Sequence, residues 1–291
     1  MNNILILGAK GNLGSQLRLL LPHATAWDRD DIDLTDTENA QEKIKSIEGL
    51  EAIINCVAYN DVDGAESNTE IAITLNVKVP TMLAKLATEL NIPLMHFSTG
   101  YVFSGKKTSY DETDKPDPVS IYGHTKADGE HAVKENAKHY YIVRTNLLFG
   151  PKGESDASKQ SVVDIMREVG TTQHHLKGIT DEISSFTYTP ELAKASIHLL
   201  QSKKPSGVYH LVNEGAGSWY DLAVEIFTIL DWNITEIPLP EPKDKLIAIE
   251  KVSSDSFVRA AKRPTHAVLN NTKLTKLRTW QSALTIYLRN S

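Results

Sequence analysis

Tyr122 and Lys126 stand four residues apart in the segment Ile121-Tyr-Gly-His-Thr-Lys126. Residues at i and i+4 share a helix face. The spacing therefore predicts a lysine ammonium beside a phenol, where its charge favours the phenolate and makes Tyr122 a proton donor usable near neutral pH. The same pair on an ordinary helix surface does no chemistry, so the context decides. That context is the Gly-rich turn Gly8-Ala-Lys-Gly11-Asn-Leu-Gly14 near the start of the chain. A proton donor and a dinucleotide turn in one chain point to redox chemistry.

The turn follows a predicted strand and opens a predicted helix. Glycines there let the backbone approach a pyrophosphate, and Asn12 leads into a helix from Leu13 whose free amides and dipole favour an anion. A ligand-free structural turn is the plainer reading. Asp28, twenty residues past Gly8, is placed to accept hydrogen bonds from an adenosine ribose, which favours NAD. Arg29 beside it suits the 2′-phosphate of NADP, so the neighbours argue in opposite directions; both can also be solvated turn charges. Asp33 and Leu34 are read as flanking an adenine ring, and Val57, Ala58 and Tyr59 as lining the nucleotide groove. Ser98 and Thr99 close a predicted strand with hydroxyls aimed at the cleft, where Thr99 can hold a carbonyl oxygen while Tyr122 protonates it. Strand-end capping is the alternative for both. His124, His174 and His175 are not read as metal ligands, the latter two being assigned to a polar loop, and no metal site is expected.

The elements that must position these groups alternate short apolar runs with amphipathic stretches, the pattern of parallel strands joined by crossover helices. Strands are expected at 3–9, 24–28, 52–58, 92–98 and 140–148, with six or seven parallel strands in all. Helices are expected at 13–21, from a Thr35/Glu38 capping box to about residue 47, at 69–90 with a kink or restart at Pro80, and across Tyr122 and Lys126. Residues 151–160 read as polar loop, 162–169 and 190–201 as helices, 208–212 as a strand, 218–230 as a helix capped by Ser218, and 237–242 as a Pro-rich loop. The fold class is thus α/β: a doubly wound parallel-sheet Rossmann domain over residues 1–150, and a smaller, partly discontinuous α/β lobe over 151–291. Segments near 187–215 are expected to return to the first domain.

With 41% apolar and 23% charged residues and a net charge of -6 spread along the chain, neither a nucleic-acid nor a membrane-surface role has compositional support. The lone cysteine, Cys56, lies in an apolar run and reads as strand filler. No apolar run reaches bilayer length, and residues 3–9 pass directly into the Gly-rich turn, so a cytoplasmic protein is expected.

Taken together the chain resembles the extended short-chain dehydrogenase/reductase superfamily and, within it, the dTDP-4-dehydrorhamnose reductase family. The resemblance rests on Gly8 to Gly14, Asn55-Cys-Val-Ala-Tyr-Asn-Asp-Val-Asp-Gly-Ala-Glu66, Ser98 to Phe103, and Tyr122 to Glu130. Gly207-Val-Tyr-His-Leu-Val-Asn213, Ser218-Trp-Tyr-Asp221 and Arg263-Pro-Thr-His-Ala-Val-Leu269 add to it. It implies hydride transfer from NAD(P)H to the C4 keto group of a nucleotide-linked 6-deoxy-hexulose. Tyr122 would be the proton donor, Lys126 would tune it and bind the nicotinamide ribose, and Thr99 would orient the carbonyl. The chain departs from the family on the sugar side. Gly100 stands where an Asp is usual, Leu147 where a Trp packs on the sugar, and Ser184 and Phe186 where Gly and Pro are usual, so Gly100 and Leu147 mark an altered substrate pocket. Two other readings stay open: a sugar epimerase or dehydratase, though Gly100 and Tyr101 cannot replace a dehydratase's Asp-Glu pair, and a non-catalytic NADP-binding regulatory subunit like the β subunit of methionine adenosyltransferase. The expected partner is a small-molecule nucleotide sugar, and a homodimer is left open.

Overall fold

The structure, a computed structural model, describes residues 3–155, 158–202, 204–237 and 243–290. Six apolar runs form the central sheet: β1 (Ile4–Leu7), β2 (Thr25–Trp27), β3 (Ala52–Asn55), β4 (Leu94–Thr99), β5 (Tyr140–Thr145) and the strand Gly207–His210. All pair in parallel, in the spatial order Gly207–His210, β5, β4, β3, β1, β2. A sheet covered on both faces needs strands that are apolar throughout, and β1, β3 and β4 are buried at every position. Alternate residues feed two cores. Leu5, Leu7, Ile53, Leu94 and Ile142 pack with the helices Thr37–Lys45 and Val79–Glu89 and with Val133. Ile4, Ile6, Ile54, Met95 and Val143 pack on the other face with α1 (Asn12–Leu20) and the helix Thr189–Gln201. The chain reverses direction across the sheet between β2 and β3, which opens a crevice beyond the carboxyl ends of β1 and β3.

The helical stretch before β4 is continuous but changes winding, from α at Thr69–Ile73 to a π-turn at Thr74–Lys78 and back to α at Val79–Glu89. Pro80 lies in the first turn of the last piece. Having no N–H, it offers nothing to the Asn76 carbonyl four residues back, which an extra residue per turn accommodates. The helix Ile121–Asn136 crosses here so closely that a Cβ at Gly129 would lie 2.1 Å from the Asn76 carbonyl oxygen.

Beyond β5 three small sheets build the rest: Asn233–Thr235, Leu246–Val252 and His175–Ile179 in parallel; Gly217–Ser218, Ile183–Ser184 and His266–Ala267; and Leu148–Phe149 with Thr187–Tyr188. Phe186, Phe227, Trp280 and Leu284 fill their common core. Ser218 caps the helix Trp219–Ile229 in a reciprocal box with Asp221.

Two local expectations change, and a third is not tested. Asp36, not Thr35, caps the second helix, because the Thr35 hydroxyl and amide are both spent on the Asp33 carboxylate, at 2.6 and 2.9 Å. His174 ends a helix that runs to Gln173, in a left-handed turn, and His175 begins a strand. Of the Pro-rich loop 237–242, residues 238–242 lie outside the described residues.

Candidate active site

The Gly-rich turn is built for close backbone approach. Gly8 has φ of +75°, and a Cβ at Gly14 would sit 2.0 Å from the Gly8 carbonyl oxygen, so α1 can begin against β1 only with glycine there. No side chain caps the first amides of α1, which leaves them for an anionic group. A second segment lies over the turn. The Ser155 amide and the Ser158 hydroxyl both donate to the Lys10 carbonyl at 3.0 Å, while the Asn12 side chain accepts from the Gly153 amide at 2.9 Å and donates to the Lys159 carbonyl at 3.0 Å. Sequence reasoning took this segment for an ordinary loop; only its Gly153, with no room for a Cβ 2.4 Å from the Lys10 carbonyl oxygen, hinted otherwise.

A cleft of about 930 Å³ runs from this turn across the sheet edge. Gly8, Gly11 to Gly14, Asp28, Arg29, Asp33, Leu34 and Val57 to Tyr59 border it on the β1, β2 and β3 side, and Thr99, Tyr122, Lys126 and Leu147 on the β4 and β5 side. The Asp28 carboxylate is already engaged: Oδ2 accepts from the Lys10 amide and Oδ1 from the Arg29 amide, each at 2.9 Å. Arg29, 70% exposed, keeps its guanidinium Nε only 4.0 Å from Asp28. Cys56 lies just past β3 on the cleft wall, and burial pushes its thiol up.

Ser120 caps the helix Ile121–Asn136 and so fixes where Tyr122 enters the cleft. Burial pushes the Tyr122 hydroxyl up to about 12, and hydrogen bonding to the Thr99 side chain offsets only part of this. The expected help from Lys126 is absent here, because its ammonium turns to the Phe97 carbonyl at 2.6 Å. Burial brings Lys126 down to about 8, against the opposing charge of Glu130. Tyr101, edge-on to Tyr122 at 6.1 Å, is the next wall residue.

Ser98 does not face the cleft with its hydroxyl; it donates to the buried Glu130 carboxylate at 2.7 Å. Gly100 does not border the cleft either. It opens a short 3₁₀ turn, buried against Asn146, so an acid at this position would meet Asn146 and the Ala267 carbonyl rather than a ligand. Leu147 does border the cleft, with a left-handed φ of +31°. Its neighbour Asn146 is pinned to Ser184 Oγ at 2.6 Å and the Ala267 carbonyl at 2.8 Å, which gives Ser184 its role. Two ion pairs, Asp63 with Arg263 and Glu182 with Arg259, tie residues 259–263 beside Tyr101. The three histidines lie apart: His124 is exposed, the His174 ring is 3.0 Å from the Leu246 carbonyl and His175 is 3.3 Å from Glu250. Among the described residues no group of three or more His, Cys, Asp or Glu is arranged to hold a metal ion, and no helix is long and apolar enough to cross a membrane.

A tyrosine and lysine one helical turn apart, opening on the same cleft as an uncapped helix behind a Gly-rich turn, place the chain among the extended short-chain dehydrogenases/reductases. The profile of the RmlD substrate binding domain matches residues 1–291. The chain belongs to the dTDP-4-dehydrorhamnose reductase family. It is similar to the dTDP-4-dehydrorhamnose reductase of Aggregatibacter actinomycetemcomitans, at 30% identity over 98% of this chain and 97% of the relative. A probable dTDP-4,6-dihydroxy-2-methyloxan-3-one 4-ketoreductase of Streptomyces antibioticus is 32% identical, over 96% and 92%. The crystal structure of dTDP-4-dehydrorhamnose reductase from Bacillus anthracis in complex with NADP superposes with a TM-score of 0.88 at 28% identity, covering 100% of this chain and 99% of that one.

Proposed function

We propose that the protein is a cytoplasmic NAD(P)H-dependent reductase of the C4 keto group of a nucleotide-linked 6-deoxy sugar. The observation that carries this reading is the single cleft that joins the Gly-rich turn to Thr99, Tyr122 and Lys126. Residues 1–150, with the returning segment near 187–215, serve as the cofactor unit and the remainder mainly as the sugar lobe. The glycines at 8, 11 and 14 and the free amides of α1 fit a dinucleotide pyrophosphate; Arg29 and the amide-engaged Asp28 face its adenosine end. When bound, the dihydronicotinamide supplies the hydride. Thr99 orients the carbonyl oxygen, and Tyr122, held un-ionised by burial, gives that oxygen its proton. With the cofactor bound, Lys126 would hold its ribose, and its charge beside Tyr122 would lower the cost of the departing proton. Leu147 and Asn146 shape the sugar side.

The relatives bear names with different sugars, and Leu147 offers no aromatic face, so we propose a keto sugar other than dTDP-4-dehydrorhamnose as the preferred substrate. The test is NADH and NADPH oxidation against a panel of nucleotide-linked 4-keto sugars. Turnover of none of them despite tight NADPH binding would overturn the reductase reading.

A further inference from the structure

Glu130 lies one helical turn beyond Lys126, and its carboxylate is fully buried at the junction of three elements. Ser98 Oγ, from the residue before Thr99 on β4, donates to Oε1 at 2.7 Å. Arg144 on β5, itself 1% exposed, donates from Nε to Oε1 at 2.7 Å and from Nη2 to Oε2 at 2.6 Å. Its guanidinium is held in turn over the Phe103 ring, 4.9 Å from the centroid. Lys134, a turn further along the helix, reaches Oε2 at 3.4 Å from the rim. A carboxylate fixed at both oxygens cannot rotate away. It remains a stationary negative charge behind the catalytic wall.

We infer that Glu130 is a positioning residue that acts through Lys126: its fixed carboxylate keeps the neighbouring ammonium charged inside the apolar cleft wall and holds the helix against the strand end that carries Thr99. The inference rests on the cofactor-binding role assigned to Lys126 above. The ionisable groups that act on Lys126 or are acted on by it are Cys56 after β3, His96 on β4 and Glu130 one turn along its own helix, with Tyr122 one turn before it, and the cations Arg144 on β5 and Lys134 flank Glu130. Burial keeps His96 neutral, Cys56 a thiol and Tyr122 a phenol, so Glu130 is the standing anion among them. Burial lowers Lys126 to about 8 even with Glu130 in place. Without that charge the ammonium titrates at lower pH, and the work it does is lost as pH rises through the new value.

The test is the pH profile of kcat/KM in wild type, Glu130→Gln and Ser98→Ala. The expected result is an alkaline limb that moves down by about one pH unit or more in Glu130→Gln. Ser98→Ala, which loses a hydrogen bond but keeps the charge, holds the wild-type limb. An unmoved limb in folded Glu130→Gln, or an equal movement in Ser98→Ala, overturns the inference. Glu130→Gln leaves the Arg144 guanidinium buried without a counter-charge. If it fails to fold, Glu130→Gln with Arg144→Met removes both buried charges, and the limb should still move down because the carboxylate one turn from Lys126 is gone. If the wild type reduces no keto sugar, the proposed function fails separately. The inference is then read from NADPH titrations: Glu130→Gln should weaken binding near the Lys126 value of about 8 and match wild type roughly two units lower, where both lysines are charged. Equal affinities at both pH values overturn it.

Discussion

Replacing Gly100 with alanine tests whether the turn after β4 is packed as described. A Cβ at this position would lie 2.8 Å from Asn146 Nδ2, 3.2 Å from Asn146 Cγ and 3.3 Å from the Ala267 carbonyl oxygen. An asparagine tip would ordinarily swing clear of such a contact. Here it is buried and donates to both Ser184 Oγ and the Ala267 carbonyl. Either the turn moves, an overpacking cost of about 1–3 kcal/mol, or Asn146 gives up bonds in a buried setting, at about 1–3 kcal/mol. Gly100→Ala should therefore lose about 1–3 kcal/mol, read by thermal unfolding at roughly 2–4 °C per kcal/mol for a chain of this size. Gly100→Asp should lose more, because its carboxylate would face a carbonyl oxygen. Since Asn146 borders the cleft, KM for the sugar should rise in both. A wild-type melting temperature in Gly100→Ala would refute the packing argument, and improved turnover of a dTDP-keto sugar by Gly100→Asp would show that the acid reaches the cleft after all.

Tyr122→Phe should cut the rate of keto-sugar reduction by at least about a hundredfold and leave NADPH affinity nearly unchanged, because only the transferable proton is lost; near-normal turnover would remove Tyr122 from the mechanism. Affinities for NADH and NADPH should lie within about tenfold of each other, and calorimetry of Arg29→Ala should show a shift toward NADH. Asp28→Ala should weaken both cofactors instead of merely favouring NADPH, since it strips the Lys10 and Arg29 amides of their acceptor; a clean switch in preference would count against that. Asp63→Ala removes the partner of Arg263 and of the Ala261 amide, which donates at 2.9 Å. Hydrogen exchange at that amide should accelerate while exchange in the central sheet stays unchanged.

The sheet was legible because parallel strands announce themselves as apolar runs, and the Gly-rich turn and the Tyr122/Lys126 pair because their chemistry is local in sequence. What escaped is long-range. Glu130 carried no role in the sequence, since its partners Ser98 and Arg144 come from other strands; a carboxylate four residues after Lys126 was the available signal. Asn76 and its π-turn were foreshadowed only by Pro80. The Thr35 box failed because a nearer acceptor, Asp33, takes the hydroxyl first. Charge tuning of Tyr122 by Lys126 assumed that i+4 neighbours must meet, whereas a strand carbonyl lies in better reach of the ammonium.

The strand Gly207–His210 pairs with β5, and the helix Thr189–Gln201 just before it packs against α1. During synthesis, therefore, the nucleotide-binding sheet waits. Until residue 210 has left the ribosome, β5 is an open edge whose Tyr141, Ile142 and Val143 are meant for burial, and such an edge invites pairing with another chain. The apolar face of α1, with Leu13 and Leu17, also lacks its covering helix until Gln201 has emerged. A nascent chain halted in the segment that follows Gly150 thus displays a nearly complete cofactor turn on an unfinished and adhesive sheet, which makes that interval the point at which a holdase chaperone, or the cofactor itself, has the most to protect.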